Sequence, residues 1–253
     1  MSVTVKRAIL GLAVFTVLFL SAAFWRLRAI AVPVSAEGER AAYTYVIDAG
    51  HGGEDGGAVS PDGVKESGIN LSVARKLDAL MHLLGQRTVM VRTEDRAIYD
   101  PDAQSVTQKK VSDLRNRVKL VNETGNALLI SIHQNEFPQS KYFGAQVFCN
   151  RISPAQTVAA QLQADLASAL DPDNHRQIKN AEDTVYLMRQ IHAPGILVEC
   201  GFLSNPAEAA LLQSNNYQTK LALVIAASVT ASIQKEQSGN EGQDNIPVYK
   251  LRQ

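Results

Sequence analysis

A glycine-rich loop around His51 restricts most strongly what this chain can fold into. Residues 43–47 are β-branched and aromatic, so they predict a short buried strand, and residues 48–57 follow with His51 set among several glycines. Glycine adopts backbone conformations that other residues avoid, and it lets the chain close around a ligand. A histidine at a strand end in such a loop is well placed to meet a metal ion.

Strands and helices alternate along the rest of the chain, which predicts an α/β sheet covered on both faces. The continuous apolar run at residues 127–132 is typical of a central strand that is buried on both faces. The other predicted strands are residues 87–91, 144–148, 185–188 and 195–200, and the predicted helices are residues 66–84, 106–122, 154–170, 206–212 and 217–234.

Apolar residues at helical spacing predict which faces of the first two helices pack on the sheet. The first face comprises Ile69, Val73, Leu77, Leu80, Leu83 and Leu84, and the second comprises Val111, Leu114, Val118 and Val121. Gly85 is expected to end the first helix.

The N-terminus predicts export across a membrane. Lys6 and Arg7 precede an apolar run at residues 8–25, and Arg26 and Arg28 close it. A cleaved signal peptide with small residues near 34–36 and an uncleaved anchor both fit this pattern, and the choice stays open. The expected division is residues 1–28 for this segment, 29–42 for a linker, 43–234 for the folded domain and 235–253 for a mobile polar tail.

Charge and cysteine content exclude two function classes. The 253 residues carry a formal net charge of zero, which leaves no basic footprint for nucleic acid. Cys149 and Cys200 form no CxxC pair, so a thiolate zinc site is unsupported. Two buried thiols on neighbouring strands are favoured over a disulfide.

Four residues stand where catalytic groups would lie. His133 follows the central strand and, like His51, is expected at the carboxyl edge of the sheet, where sites of α/β proteins gather. Glu66 begins a helix, and two imidazoles with one carboxylate are a ligand set of catalytic zinc with a fourth position open. Glu199 interrupts an apolar strand, so its carboxylate needs a partner and suits a general base.

Each of these residues also has a structural explanation, and from the residues alone both interpretations stay open. Strand-end histidines are often structural, a helix-start glutamate is usually a cap, and no HExxH helix is present. Further candidates are Asn70 and Asn135 as ligand or loop contacts, an ion pair of Arg92 with Asp95, surface positions for His82 and His192, and His175 at the rim of the cleft.

Four sequence blocks change this balance. Residues 47–53, 65–71, 131–135 and 198–205 resemble, in order, the signature blocks of zinc-dependent N-acetylmuramoyl-L-alanine amidases of the amidase 3 type. The resemblance implies that His51, Glu66 and His133 bind Zn²⁺ and that Glu199 is the catalytic glutamate. It also implies a single α/β domain with a twisted, roughly six-stranded mixed sheet and helices on both faces.

The resemblance further implies hydrolysis of the amide between the N-acetylmuramic acid lactyl group and L-Ala of peptidoglycan. Within the family, Gln134 and the absence of a long helical insert between residues 148 and 195 are similar to sporulation amidases. These act in forming the muramic-δ-lactam of spore cortex, which implies an envelope location and a sporulation lipoprotein as partner. The alternatives are a vegetative autolysin, or a zinc peptidase or deacetylase that acts on another envelope bond.

Overall fold

The structure, a computed structural model, describes residues 42–244. The predicted N-terminal segment, nearly all of the predicted linker and residues 245–253 of the predicted tail lie outside this range. Between residues 42 and 244, no helix combines the length and the hydropathy needed to cross a bilayer.

Six strands and six helices make up the described chain. The strands are β1 (Thr44–Ala49), β2 (Arg87–Met90), β3 (Ala127–Asn135), β4 (Gln146–Cys149), β5 (Lys179–Asn180) and β6 (Gly195–Phe202). The helices are α1 (Glu66–Leu83), α2 (Val106–Glu123), α3 (Ala155–Leu170), α4 (Tyr186–Gln190), α5 (Pro206–Gln213) and α6 (Asn215–Asp244).

The strands form one mixed sheet in the order β2-β1-β3-β6-β4-β5. The first four are parallel, and β4 pairs antiparallel with β6. Successive residues of β1 point to opposite faces, because Ile47 joins a core cluster with α1, α3 and α6 whereas Val46 joins one with α2 and α4. The predicted α/β class, the mixed six-stranded sheet and the helices on both faces are confirmed.

The predicted strand at residues 185–188 is wrong, because this segment begins the short helix α4. The Val185 N–H donates to the Ala181 carbonyl at 2.8 Å, and the Arg189 N–H donates to the Val185 carbonyl at 3.2 Å. Leu187 and Met188 are both buried although they are adjacent, which a helix on a core allows and a half-buried strand does not. The sheet edge is formed instead by β5, which lies between the predicted helix at residues 154–170 and this segment.

The predicted face of α2 is also wrong in part. Val111 is 41% exposed, and the buried residues of α2 are Asp113, Arg117 and Val121. The buried arginine binds the glycine loop, as described below, and this contact rather than apolar spacing sets the rotation of the helix.

Helix ends account for the remaining differences. Leu83 and Leu84 are exposed because α1 finishes there, with Gly85 at φ 74 as the predicted stop. Helix α6 begins two residues before the predicted start and continues to Asp244, so the predicted tail begins as helix. Cys149 and Cys200 are free and buried on the neighbouring strands β4 and β6, as expected.

Candidate metal centre

Three elements bring His51, Glu66 and His133 together. Strands β1 and β3 are paired in parallel up to Ala49 and Ile132, so the loop after β1 starts beside His133. His133 lies within β3, which continues to Asn135, rather than after the strand as predicted. Glu66 is the first residue of α1, and one ligand atom from each of the three residues lies within 4.8 Å of the other two.

The carboxylate of Glu66 stands between the two imidazoles. Its Oε2 is 3.4 Å from His51 Nε2, and its Oε1 is 3.0 Å from His133 Nδ1. A Cβ on Gly50 would lie 2.2 Å from the His133 ring, and one on Gly57 would lie 2.4 Å from Glu66 Oε2. Glycine is therefore required at both positions, and the three donors fit a single divalent metal ion with a position left for another ligand.

Glu66 is fixed by donors other than the histidines. Its Oε2 accepts a hydrogen bond from the Ala58 N–H at 2.9 Å, and its Oε1 accepts from the Gln134 N–H and from Asn70 Nδ2, each at 3.0 Å. Burial alone would raise the pKa of Glu66, but the hydrogen bond and charge of His133, with smaller contributions from His51 and Asn70, lower it to about 2. The carboxylate is therefore ionised in the folded protein.

Two buried arginines hold the backbone of the glycine loop. Arg92 donates from Nε to the Ala49 carbonyl at 2.8 Å and from its terminal nitrogen to the Gly50 carbonyl at 3.0 Å. Arg117 donates to the Ala49 carbonyl at 3.0 Å and to the His51 carbonyl at 2.8 Å. His51 has a positive φ of 60, which is rare for a residue with a Cβ, and these bonds fix that conformation.

Arg117 is balanced by two buried carboxylates. It pairs with Asp48 on β1 and donates from Nε to Asp113 at 2.7 Å. Ser131 on β3 donates to the other oxygen of Asp48 at 2.7 Å. Burial on its own would raise the pKa of Asp48, but the charges of Arg117 and His133, together with the hydrogen bonds from Ser131 and Arg117, lower it.

Glu199 lies on the other side of His133. It stands directly opposite His133 in the parallel register of β3 and β6, so both side chains occupy the same face of the sheet. Its Oε2 is buried and has no hydrogen-bond partner among the described residues. Burial raises the pKa of Glu199 to about 7, with His133 lowering it and the charge of Glu66 raising it further.

Comparison with known proteins identifies the family. Residues 46–231 match the model of the N-acetylmuramoyl-L-alanine amidases called Amidase_3. The chain belongs to this amidase family.

Two relatives are close over most of the amidase domain. The germination-specific N-acetylmuramoyl-L-alanine amidase of Bacillus subtilis is 38% identical over 177 residues, which is 70% of this chain and 73% of the relative. The CwlD amidase from Clostridioides difficile, solved in complex with the GerS lipoprotein, is 34% identical with a TM-score of 0.73 and covers 76% of this chain and 98% of that one. The amidase LytC of B. subtilis is 28% identical over 72% of this chain and 34% of LytC.

The remaining predicted residues of this amidase either support the candidate site through hydrogen bonds or lie on the surface. Asn70 is buried between Glu66 and the Gly50 carbonyl, and its own Oδ1 accepts from Gln134 Nε2 at 3.0 Å. Gln134 is 3% exposed, and its side chain supports Asn70. The predicted pair of Arg92 with Asp95 is present at 3.8 Å, although Arg92 mainly binds loop carbonyls. The side chains of His82, His175 and His192 are exposed.

Sequence reasoning missed the role of Arg117 and its carboxylates in the amidase. The available signal was the spacing of Asp113 and Arg117, which are four residues apart on α2 and can therefore pair on one helix face. Such a charged pair is more often found on a solvated helix face, so the spacing did not predict that Asp113 and Arg117 are buried.

Proposed function

We propose that this amidase hydrolyses the amide between the lactyl group of N-acetylmuramic acid and L-Ala of the peptidoglycan stem peptide. The observation that carries the proposal is the position of Glu199, whose unpartnered carboxylate faces the His51, Glu66 and His133 cluster. A buried carboxylate without a partner costs stability, so its presence beside a candidate metal cluster suits a role in proton transfer.

His51, Glu66 and His133 are the residues that would hold Zn²⁺. Two imidazoles and a carboxylate are a ligand set of catalytic zinc, and the separation of 3.4 Å between His51 Nε2 and Glu66 Oε2 suits two ligands of one ion. When bound, zinc acts as a Lewis acid that polarises a carbonyl oxygen and makes a water molecule more acidic.

Glu199 performs the proton transfers. Its Oε2 accepts the proton of the attacking water and returns it to the nitrogen of L-Ala, which leaves as a free amine. A carboxylate with a pKa of about 7 is matched to this task, because it can both take and release a proton near neutral pH. Glu66 cannot share the role, because both of its oxygens are already occupied by donors and its pKa is about 2.

The relatives support a role in sporulation. One is named a germination-specific amidase, and the structure of the CwlD amidase contains the GerS lipoprotein. We infer by analogy that this chain acts on spore cortex, where removal of the stem peptide precedes muramic-δ-lactam formation, and that a lipoprotein is its partner. Residues 1–28 would place the amidase on the outer face of a bacterial membrane, as an anchor or as a signal segment.

The experiment combines metal analysis with mass spectrometry of digestion products. Purified protein is incubated with peptidoglycan from spores and from vegetative cells of one sporulating species. About one zinc per chain, a new free L-Ala amine and intact glycan and peptide bonds are the expected results. Faster cleavage of vegetative material would favour an autolysin, and cleavage of a peptide or N-acetyl bond would overturn the amidase assignment.

A further inference from the structure

A small pocket opens beside His51, on the side of the metal centre away from Glu199. Because β3 lies between β1 and β6, the loop after β1 and strand β6 flank His133 from opposite sides. The pocket encloses about 230 Å³ between the glycine loop and α2, and its lining includes His51, Asp55, Tyr99, Val106, Lys109 and Lys110.

The pocket combines an apolar wall, two cations and three carboxylates, of which Asp113 is already paired with Arg117. Lys109 Nζ lies 5.1 Å from the centroid of the Tyr99 ring, and both carboxylate oxygens of Glu54 accept hydrogen bonds from it at 2.9 and 3.0 Å. Lys110 Nζ is 3.8 Å from Asp55, and its side chain is 61% exposed. Lys110 is therefore held loosely at the opening.

Glu54 shows that this site accepts a carboxylate. The Glu54 side chain is 67% exposed, so it lies on the surface of the glycine loop rather than in the core. The Lys109 side chain is 25% exposed, so Glu54 is the exposed partner of the pair. Ion pairs near the surface contribute little net stability, so an incoming carboxylate can replace Glu54 on Lys109 at small cost.

We propose that this pocket binds a carboxylate of the substrate's stem peptide, with Lys109 and Lys110 as its cations and Glu54 as an intramolecular competitor. This inference rests on the proposed amidase function. The stem peptide carries free carboxylates, whereas the glycan strand is uncharged wherever its lactyl groups are still joined to stem peptides by amide bonds. Whole ligands usually occupy about 300–1,000 Å³, so a pocket of this size suits one residue of a larger substrate.

A purely structural explanation makes a different prediction. If the Glu54–Lys109 pair only ties the glycine loop to α2, then removing either partner breaks the same tie and both variants change in the same direction. If Glu54 competes with substrate, Lys109→Met and Glu54→Gln have opposite effects on binding.

The experiment measures dissociation constants in the zinc-loaded Glu199→Gln protein, which cannot complete turnover. The probes are two muramoyl tripeptides that differ only in the carboxyl groups of the peptide, which are either all free or all amidated. Lys109→Met should weaken binding of the free form by about three- to tenfold, and Glu54→Gln should strengthen it by a similar factor. The amidated form should bind equally to all variants.

Lys119→Met is the matched control, because Lys119 lies on the same helix, is 67% exposed and pairs only loosely with Glu123 at 3.9 Å. It should leave both dissociation constants unchanged. Shifts of the same sign for Lys109→Met and Glu54→Gln, or equal shifts for the two probes, would overturn the pocket. If protein with Glu199 intact cleaves neither probe nor peptidoglycan while the opposite shifts persist, the amidase function fails and the carboxylate pocket stands.

Discussion

The glycine loop and strand β6 border the same site, but the buried carboxylates beside them differ in hydrogen bonding and in pKa. Around the loop, Glu66 is bound by three protein donors and its pKa falls to about 2. On β6, Glu199 keeps a buried oxygen without a partner, and its pKa rises to about 7. The fully bonded carboxylate is fixed in position, which suits its proposed role as a ligand, whereas the unpartnered one suits the proposed proton transfer.

The largest effects are expected when Glu199 and Glu66 are each replaced by glutamine, and the two variants should differ in which property they lose. Glu199→Gln should lower kcat by about 10²- to 10⁴-fold, because general acid–base catalysis is lost, while zinc content stays the same. Glu66→Gln is the matched change, and it should lower zinc content because a charged ligand is removed. Activity assays and metal analysis of both proteins check this prediction. Loss of zinc from Glu199→Gln, with Glu66→Gln unaffected, would reverse the assignment.

Removing the support of the loop should affect stability next most strongly. Arg117→Met leaves Asp48 and Asp113 without their buried partner, so the free energy of unfolding should fall by about 3–5 kcal/mol. Arg115 is exposed on the same helix, and Arg115→Met should change stability by less than about 0.5 kcal/mol. Urea unfolding compares the two variants, and equal stability would show that the buried pairs contribute little.

A smaller effect is expected at Asn70, which orients Glu66 without lying among the candidate ligands. Asn70→Ala removes the donor to Glu66 Oε1, so zinc affinity should fall by about 10- to 100-fold while kcat at saturating zinc changes less. Competition with a chelator measures the affinity. Asn122→Ala is the control, because its amide bonds to Gln190 and His192 instead. A loss of kcat with normal zinc affinity would place Asn70 in contact with substrate.

The smallest effects concern the pH dependence of stability in metal-free protein. Asp48 beside the glycine loop and Glu199 on β6 should change the free energy of unfolding with opposite signs as pH rises. The folded pKa of Asp48 is lowered, so its stabilisation is complete above about pH 4 and is lost as pH falls through the folded value. The folded pKa of Glu199 is raised, so the folded state loses stability as pH rises from about 4.5 to about 7.

Urea midpoints at several pH values test both signs. Asp48→Asn should flatten the loss of stability in acid, and Glu199→Gln should remove the decline toward pH 7. Unchanged profiles in both variants would mean that neither carboxylate is perturbed by its surroundings.

Sequence patterns correctly predicted those strands and helices whose position depends on the burial of apolar residues alone. The apolar run of β3 and the spacing of Ile69, Val73 and Leu77 in α1 placed the sheet and a covering helix correctly, because burial alone determines them. The four family blocks selected the residues that meet at the candidate centre. Individually these residues had ordinary structural explanations, and only their combination pointed to one site.

The rest depended on partners that are distant in sequence. Arg117 faces inward because the carbonyls of Ala49 and His51 need donors, and nothing local to α2 shows that need. Periodicity assumes that charged residues face water, so it placed Val111 on the packed face instead. The helix at Tyr186–Gln190 was missed because five residues are too few to show a period.

The order of the strands means that the sheet can be completed only after its last strand has been synthesised. Strand β6 is the last strand in sequence, yet it lies between β3 and β4 in the sheet. A chain emerging from N- to C-terminus therefore presents all three candidate ligands while β3 is still an open edge, and β4 and β5 can pair only with each other. The strand that completes the sheet is the one that carries Glu199, so the proposed general base joins the three candidate ligands only when the sheet is complete.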